Sequence, residues 1–456
     1  MAQQTYYVRD TLAEQQPAPA STTGLVGWMR ENLFNGPFNT ILTLLALYVI
    51  YSVAWPVIEF VFINGVWTGD DRTVCTTAAQ GGIQPDGWFG GCWAYVGAYL
   101  NQFMYGRYPF EERWRVDISA ILLVLALIAV LVPNLPFKRW ALLFAAIVFP
   151  VATIVLLTGG HFELGGFFFG LSGLAGLSGD FAFFADLAIV ALIVAGAGLL
   201  AARATGSNPG SVVVPIIAVF VGIGVIMAIF AVDFGLAPVE TAVWGGLLVT
   251  MVISVTGITV SLPFGVLLAL GRRSQMPVIR SLSVIFIEFW RGVPLITVLF
   301  MSSVMLPLFL PADTDFDKLL RALIGVALFS SAYMAEVVRG GLQAIPRGQY
   351  EGAMALGLTF WQMMRMIILP QALKLVIPGI VSTFIGLFKD TTLVLIIGLF
   401  DFLGQIQSSF ANPNWASPVQ ALSGYLFAAF TYWIFTFSMS RYSIYTEQRL
   451  HTGHKR

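Results

Sequence analysis

Residues 351–370 read EGAMALGLTFWQMMRMIILP. A carboxylate at Glu351, small residues at Gly352, Ala353 and Ala355, and a glycine at Gly357 precede a helical run that closes on Leu369-Pro370. Apolar stretches long enough to cross a bilayer flank this segment on both sides. A polar, glycine-bearing loop between two spans cannot lie in hydrocarbon, where its backbone groups would lack partners. It is therefore expected at the membrane surface, with small residues forming a smooth ridge that another protein can grip closely. A short helix–turn that merely links two membrane helices has the same composition, so the spacing of the residues has to discriminate.

The rest of the chain is that of a polytopic membrane protein. Its 456 residues are 57% hydrophobic and only 11% charged, against about 25% charged in soluble domains, and the mean hydropathy is +0.82. Twenty-four basic and 24 acidic residues balance, so nothing global points to nucleic acid. Residues 1–23 are polar and low in apolar content and read as a disordered tail. No apolar core follows a basic start, so no cleavable signal peptide is expected and the first span serves as the insertion signal.

Gly24–Phe38 mixes Trp28, Met29, Leu33 and Phe34 with Arg30, Glu31 and Asn32, as an interfacial helix or a linker would. Residues 1–38 thus form a cytoplasmic tail with its interfacial helix, and 39–235 a membrane extension. Its first span is about Asn39–Phe62, close to the roughly 20 residues needed to cross. A loop rich in Gly, Trp and Tyr follows at 63–115 and holds both cysteines, Cys75 and Cys92. Outside the cytoplasm these would oxidise to a disulfide; two free thiols are the alternative. Further spans read as about Ile118–Val132, Trp140–Leu157, Phe184–Ala202 and Val212–Ala231. The glycine-rich Leu164–Asp180 is apolar but short, and suits either close helix packing or a re-entrant or surface segment.

Charge decides between these. Lys138 and Arg139, then Arg203, then Arg272, Arg273 and Arg280 mark three short loops, and positive short loops belong inside. Treating Leu164–Asp180 as non-spanning puts all three on the side of the N-terminus. Five more spans follow at about Ala242–Leu270, Ser281–Leu310, Leu320–Val338, Leu373–Phe400 and Val419–Met439. Arg441, Arg449, Lys455 and Arg456 keep the C-terminus inside. Ten spans with both termini cytoplasmic result, and residues 339–366 lie inside. That placement rests on charge alone.

Glu351, Ala353, Gly357, Ile367, Leu369 and Pro370 fall on the spacing Glu-Ala-Ala, three residues, Gly, nine residues, Ile, one residue, Leu-Pro. This resembles the "EAA" loop of bacterial ABC-importer permeases, with Gly352 in place of the first Ala, which loosens the expected helix slightly. From Trp244 to Leu450 the chain resembles the polar amino-acid importers. The motifs, in order, are WGGLLVTMVISVTGITVSLPFGVLLALGRRS at 244–274, FIEFWRGVPLITVLF at 286–300, SSAYMAEVVRGGLQAIPRGQYEGAMALG at 330–357 and FKDTTLVLIIGLFD at 388–401. Val293 and Thr392 stand where that family usually has Thr and Ser. In size and layout, the front half with its Cys and Cys-Trp-Ala loop included, the chain resembles the long permease subunits of general L-amino-acid importers.

The resemblance implies an all-α membrane protein of the type I ABC importer fold: a five-helix core at 236–450, five extra N-terminal helices, and a cytoplasmic tail at 451–456. It implies an inner-membrane permease subunit that moves L-amino acids by alternating access. The implied partners are two copies of an ATPase docked on Glu351, Gly352, Ala353, Gly357 and Pro370, a periplasmic amino-acid-binding protein, surrounding lipid and a second permease. The long extension inclines that second permease to a related but different chain.

Ionisable residues in spans are expensive and face a bundle interior. Glu288 with Arg291, and Glu336 with Arg339, sit three apart on predicted helices; Lys389 and Asp390 are adjacent. Each pair either neutralises itself locally or serves a zwitterion whose ammonium and carboxylate need partners once water is stripped away. Glu288, Arg291, Lys389 and Asp390 are candidates for the substrate path, and Glu336 and Arg339 for the cytoplasmic gate or its support. His161, His451 and His454 form no metal-ligand cluster with cysteine. No Gly-x4-Gly-Lys-[Ser/Thr] loop occurs, so ATP and Mg are expected on a separate subunit, with no cofactor in this chain. An ion-coupled secondary transporter is the alternative, but it predicts inverted repeats with broken helices at matching places, and none is visible. A membrane enzyme or scaffold is disfavoured by the lack of a catalytic constellation.

Overall fold

The computed structural model describes residues 24–164, 179–205, 208–309 and 317–450. The regular structure of the described residues is helical, with only isolated β-bridges. Among the described residues, nine helices are long and apolar enough to cross a membrane. They are α2 (Pro37–Ile63), α4 (Phe110–Leu131), α5 (Lys138–Thr158), α6 (Asp180–Arg203), α7 (Pro209–Ala231), α8 (Gly246–Arg272), α11 (Lys318–Ala344), α14 (Ile377–Ile397) and α16 (Gln420–Leu450). The pair α9 (Pro277–Gly292) and α10 (Leu295–Phe309) makes a tenth crossing if counted as one. Shorter helices are α1 (Gly24–Asn32), α3 (Trp93–Tyr105), α12 (Arg347–Ala355), α13 (360–375) and α15 (Phe402–Ser409).

The single span expected at 281–310 is broken. Its axis turns by 100° between Gly292 and Leu295. Pro294 pushes the preceding residue out of the α region, and Val293 and Pro294 both adopt extended backbone (ψ 133° and 143°). The glycine-rich stretch 164–180 lies almost wholly outside the described residues. Its ends nevertheless meet, Leu164 N donating to Asp180 Oδ1 at 3.0 Å.

Three of the four π turns among the described residues have one cause. Phe144–Val148, Met301–Met305 and Met364–Ile368 each end two residues before a proline: Pro150, Pro307 and Pro370. A proline cannot donate and its ring crowds the carbonyl four residues back, and a wide turn relieves both. The Ser303 carbonyl that Pro307 leaves unpaired is taken by Arg321 Nη1 at 2.6 Å. Pro370 stands in the first turn of the helical segment Leu369–Leu375, directly after the π turn that accommodates it.

Two compact units emerge, Met1–Gly97 with Asn414–Ser423, and Ala98–Pro413 with Gly424–Arg456. In the first, Cys75 and Cys92 are disulfide-bonded, with Cα atoms 5.7 Å apart. Val66 and Gly91 pair through their backbones, and Trp67 stacks on Trp93. Arg72 N donates to the Asn414 carbonyl at 3.0 Å and Cys92 N to Ser423 Oγ at 2.8 Å, so the cysteine loop is tied to the segment before α16 and to that helix's first turn.

In the second unit the buried core joins Tyr108, Val116 and Leu157 of the front half to Trp244, Leu248, Ile253, Leu299, Val326 and Leu387. Part of the extension therefore shares the core of the back half. Arg115, 1% exposed, fixes the connection: its Nη1 donates to the Ala237 carbonyl at 2.7 Å and its Nη2 pairs with Glu112. Residues 158–162 hydrogen-bond to 230–239. Lys138 Nζ donates to the carbonyls of Ala129, Val130 and Val132 (2.5, 3.0 and 2.7 Å) and so caps α4.

Candidate functional site

The surface loop is a capped helix followed by a second capped helix. Pro346 precedes α12 and fixes its entry. The exit is a Schellman turn: Leu358 N donates to the Ala353 carbonyl (3.3 Å) and Gly357 N to the Met354 carbonyl (2.9 Å). The turn needs a left-handed residue, and Gly357 supplies φ +71°. Thr359 then caps α13 in a reciprocal box with Gln362.

Orientation divides the loop. Glu351, Gly352, Met354, Ala355, Leu356 and Gly357 are exposed, and Phe360 and Trp361 extend the exposed apolar surface, with Leu356 76% and Trp361 65% accessible. Ala353 does not share this ridge. It is buried among Leu270, Met334, Val338, Leu342, Met364 and Ile368, because the helical period turns that one position inward.

A second feature lies where α8, α9 and α11 meet. Glu336 is its hub. Glu336 Oε2 accepts from Arg339 Nε (2.9 Å) and Nη2 (2.7 Å), with Arg291 Nη1 at 3.7 Å. Glu336 Oε1 accepts from Arg272 Nη1 at 3.0 Å, and the same nitrogen donates to Glu288 Oε1 at 2.8 Å. The residues assigned from sequence to a path (Glu288, Arg291) and to a gate (Glu336, Arg339) thus form one network. Each pair is partly exposed, so each holds by no more than about 1 kcal/mol.

Lys389 and Asp390 stand apart from it and form no ion pair among the described residues. Asp390 lines a cavity of about 290 Å³ between α11 and α14, with Ser330, Tyr333, Ser382, Thr383 and Gly386. Arg291 links the two features, its guanidinium 5.8 Å over the Tyr333 ring.

Arg272, Arg273 and Tyr350 gave no functional signal in the sequence. The arginines read only as inside-facing charge at a helix end. Yet Arg273 Nη1 donates to the Leu342 carbonyl (3.0 Å) and to Tyr350 Oη (2.9 Å), with the guanidinium 5.4 Å over the ring. Tyr350 Oη also donates to the Leu342 carbonyl, at 3.1 Å.

Comparison with known proteins gives this geometry its context. The family model for the inner membrane component of binding-protein-dependent transport systems matches residues 261–452. The chain is 41% identical over 444 residues to the inner membrane amino-acid ABC transporter permease protein YhdY of Escherichia coli K12, covering 97% of this chain and 98% of that one. It is 43% identical over 469 residues to BztC of Rhodobacter capsulatus, a glutamate/glutamine/aspartate/asparagine transport system permease protein, with 99% of each covered. The glutamate/aspartate import permease protein GltK of Escherichia coli O6:H1 matches 45% of this chain over 91% of its own length, at 32% identity. The relatives therefore include chains of about half this length as well as chains that carry the front half too. With the ion-coupled reading set aside by matches over essentially its whole length, this chain belongs to the family of amino-acid ABC transporter permeases, the inner-membrane components of binding-protein-dependent transport systems.

Proposed function

We propose that the chain is one permease of a paired membrane unit, joined to a different, related permease and to two copies of a separate ATPase that carries ATP and Mg. A periplasmic binding protein delivers the amino acid to the outer face. Both termini lie in the cytoplasm, and residues 351–357 form the ATPase contact. The observation that carries this reading is the exposed ridge of Gly352, Met354, Ala355 and Leu356, continued by Phe360 and Trp361. An apolar patch framed by polar residues marks an interaction site, and this one is firmly built, by a Schellman turn at Gly357 and the Thr359–Gln362 capping box that follows it. Ala353 and Pro370 support the ridge from behind.

Asp390 is the group suited to an amino acid's ammonium, with Lys389 beside it for a carboxylate. The network of Glu288, Arg291, Glu336 and Arg339 serves the gate. BztC and GltK are both named for transport of glutamate and aspartate, which makes acidic amino acids the first substrates to test.

Gly357→Val tests the docking assignment. No atom lies within 4 Å of a Cβ built at Gly357, so the folded chain has space, and the cost is the left-handed backbone, about 1–3 kcal/mol. The added methyl groups project towards the partner. The variant is expected to insert at the parental level while losing substrate-stimulated ATP hydrolysis and uptake. Parental uptake would reduce the loop to a linker.

A further inference from the structure

Two consecutive arginines at the end of α8 reach in different directions. Arg273 fastens α12 to α8: its Nη1 holds both the Leu342 carbonyl and Tyr350 Oη, and Tyr350 closes the triangle on the same carbonyl. Arg272, one peptide away, spans Glu288 on α9 and Glu336 on α11 with a single nitrogen. Anything that shifts Tyr350 therefore pulls on the residue next to the one that ties three helices together.

We propose that Arg272 and Arg273 are the relay that passes movement of helix α12 to α8, α9 and α11 during transport. The proposal rests on the docking reading of residues 351–357 and names how that contact acts on the membrane helices.

The network has the properties a switch needs. Its charges are partly exposed, the side chains of Arg272, Glu288, Glu336, Arg291 and Arg339 being 25%, 53%, 15%, 36% and 30% accessible. Solvent can therefore cover a contact that opens, whereas breaking a fully buried pair strands a charge. The partners are also redundant. Arg272 can stay with Glu288 alone, leaving Glu336 to Arg339 and to Arg291, whose present separation of 3.7 Å can shorten. No charge is then left unpaired in either arrangement. A two-state element of this kind, biased at one end by a contact, is what physical coupling requires.

The experiment uses the complete importer, with its ATPase, second permease and binding protein reconstituted in proteoliposomes, and a mixture of radiolabelled L-glutamate and L-aspartate, followed by other L-amino acids, as probe. For Arg273→Ala the ATPase should still co-purify and hydrolyse ATP. Substrate-stimulated hydrolysis and uptake should both fall by about tenfold, within the range of measured coupling. Arg273→Lys, which keeps one donor for the Leu342 carbonyl, should recover part of the loss. Should Arg273→Ala insert poorly, Tyr350→Phe deletes a single hydroxyl from the same triangle and is expected to lower uptake in the same sense.

Parental stimulation and uptake in an inserted Arg273→Ala or Tyr350→Phe variant would overturn the relay. Loss of ATPase co-purification would overturn it too, by showing that Arg273 only builds the docking surface. Gly357→Val behaving like the parent removes the docking assignment, whereas parental uptake by Arg273→Ala removes the relay alone.

Discussion

Gly106 packs directly on Gly245, so closely that a Cβ on Gly106 would lie 2.4 Å from Gly245 Cα and 2.5 Å from its nitrogen. This is where the front half of the chain meets the start of α8, with Gln102 Nε2 donating to Gln405 Oε1 at 3.1 Å in the same unit. Gly106 also has φ +67°. A side chain therefore meets two penalties, the left-handed backbone at about 1–2 kcal/mol and overpacking at about 1–3 kcal/mol. Gly106→Ala is expected to lower the accumulation and thermal stability of the permease markedly. Gly87→Ala is the control: φ is +84° with no atom within 4 Å, so only the first penalty applies. Equal behaviour of the two variants would show that the Gly106–Gly245 contact does not matter to stability.

The disulfide closes a sequence separation of 17 residues, which removes about 3 kcal/mol of unfolded-chain entropy in the chain-entropy model. Denatured but unreduced protein should show no thiol reactive towards maleimide, and two after reduction. Cys75→Ser should leave α2 inserted but expose residues 64–92 to protease.

Topology is testable with reporter fusions after residues 160 and 235. His161 N and Phe162 N donate to the carbonyls of Val232 and Phe230 (3.3 and 3.0 Å), so both fusion points sit at one end of the helices, with α6 and α7 between them. Both are expected to score outside. A cytoplasmic signal at either would remove the ten-span count or reverse its orientation.

Asp390→Asn keeps the shape of the cavity and removes its carboxylate. If that group meets a substrate ammonium, a charge-assisted contact worth about 1.5–3 kcal/mol is lost, and uptake at low substrate should fall about tenfold or more with the ATPase still bound. Uptake kinetics identical to the parent would take the cavity off the path.

Much of this protein was decided by composition and order along the chain. Apolar length fixed the helices, because a bilayer demands about 20 residues per crossing, and nine of the ten expected spans lie on single helices of the structure. The Glu351–Pro370 spacing and the three upstream and downstream motifs marked the family. Local rules also fixed Gly357, since a helix that must turn back needs one residue with positive φ. The tertiary structure alone decided which charges meet. Arg272 and Glu336 are 64 residues apart in sequence, and nothing in a pair of arginines at a helix end says that one will reach a carboxylate two helices away and the other a tyrosine hydroxyl. Ala353 was read as surface because its neighbours are small, but only packing shows which of several small residues faces the protein. Side-chain direction depends on what stands opposite, and that is information no single stretch of sequence contains.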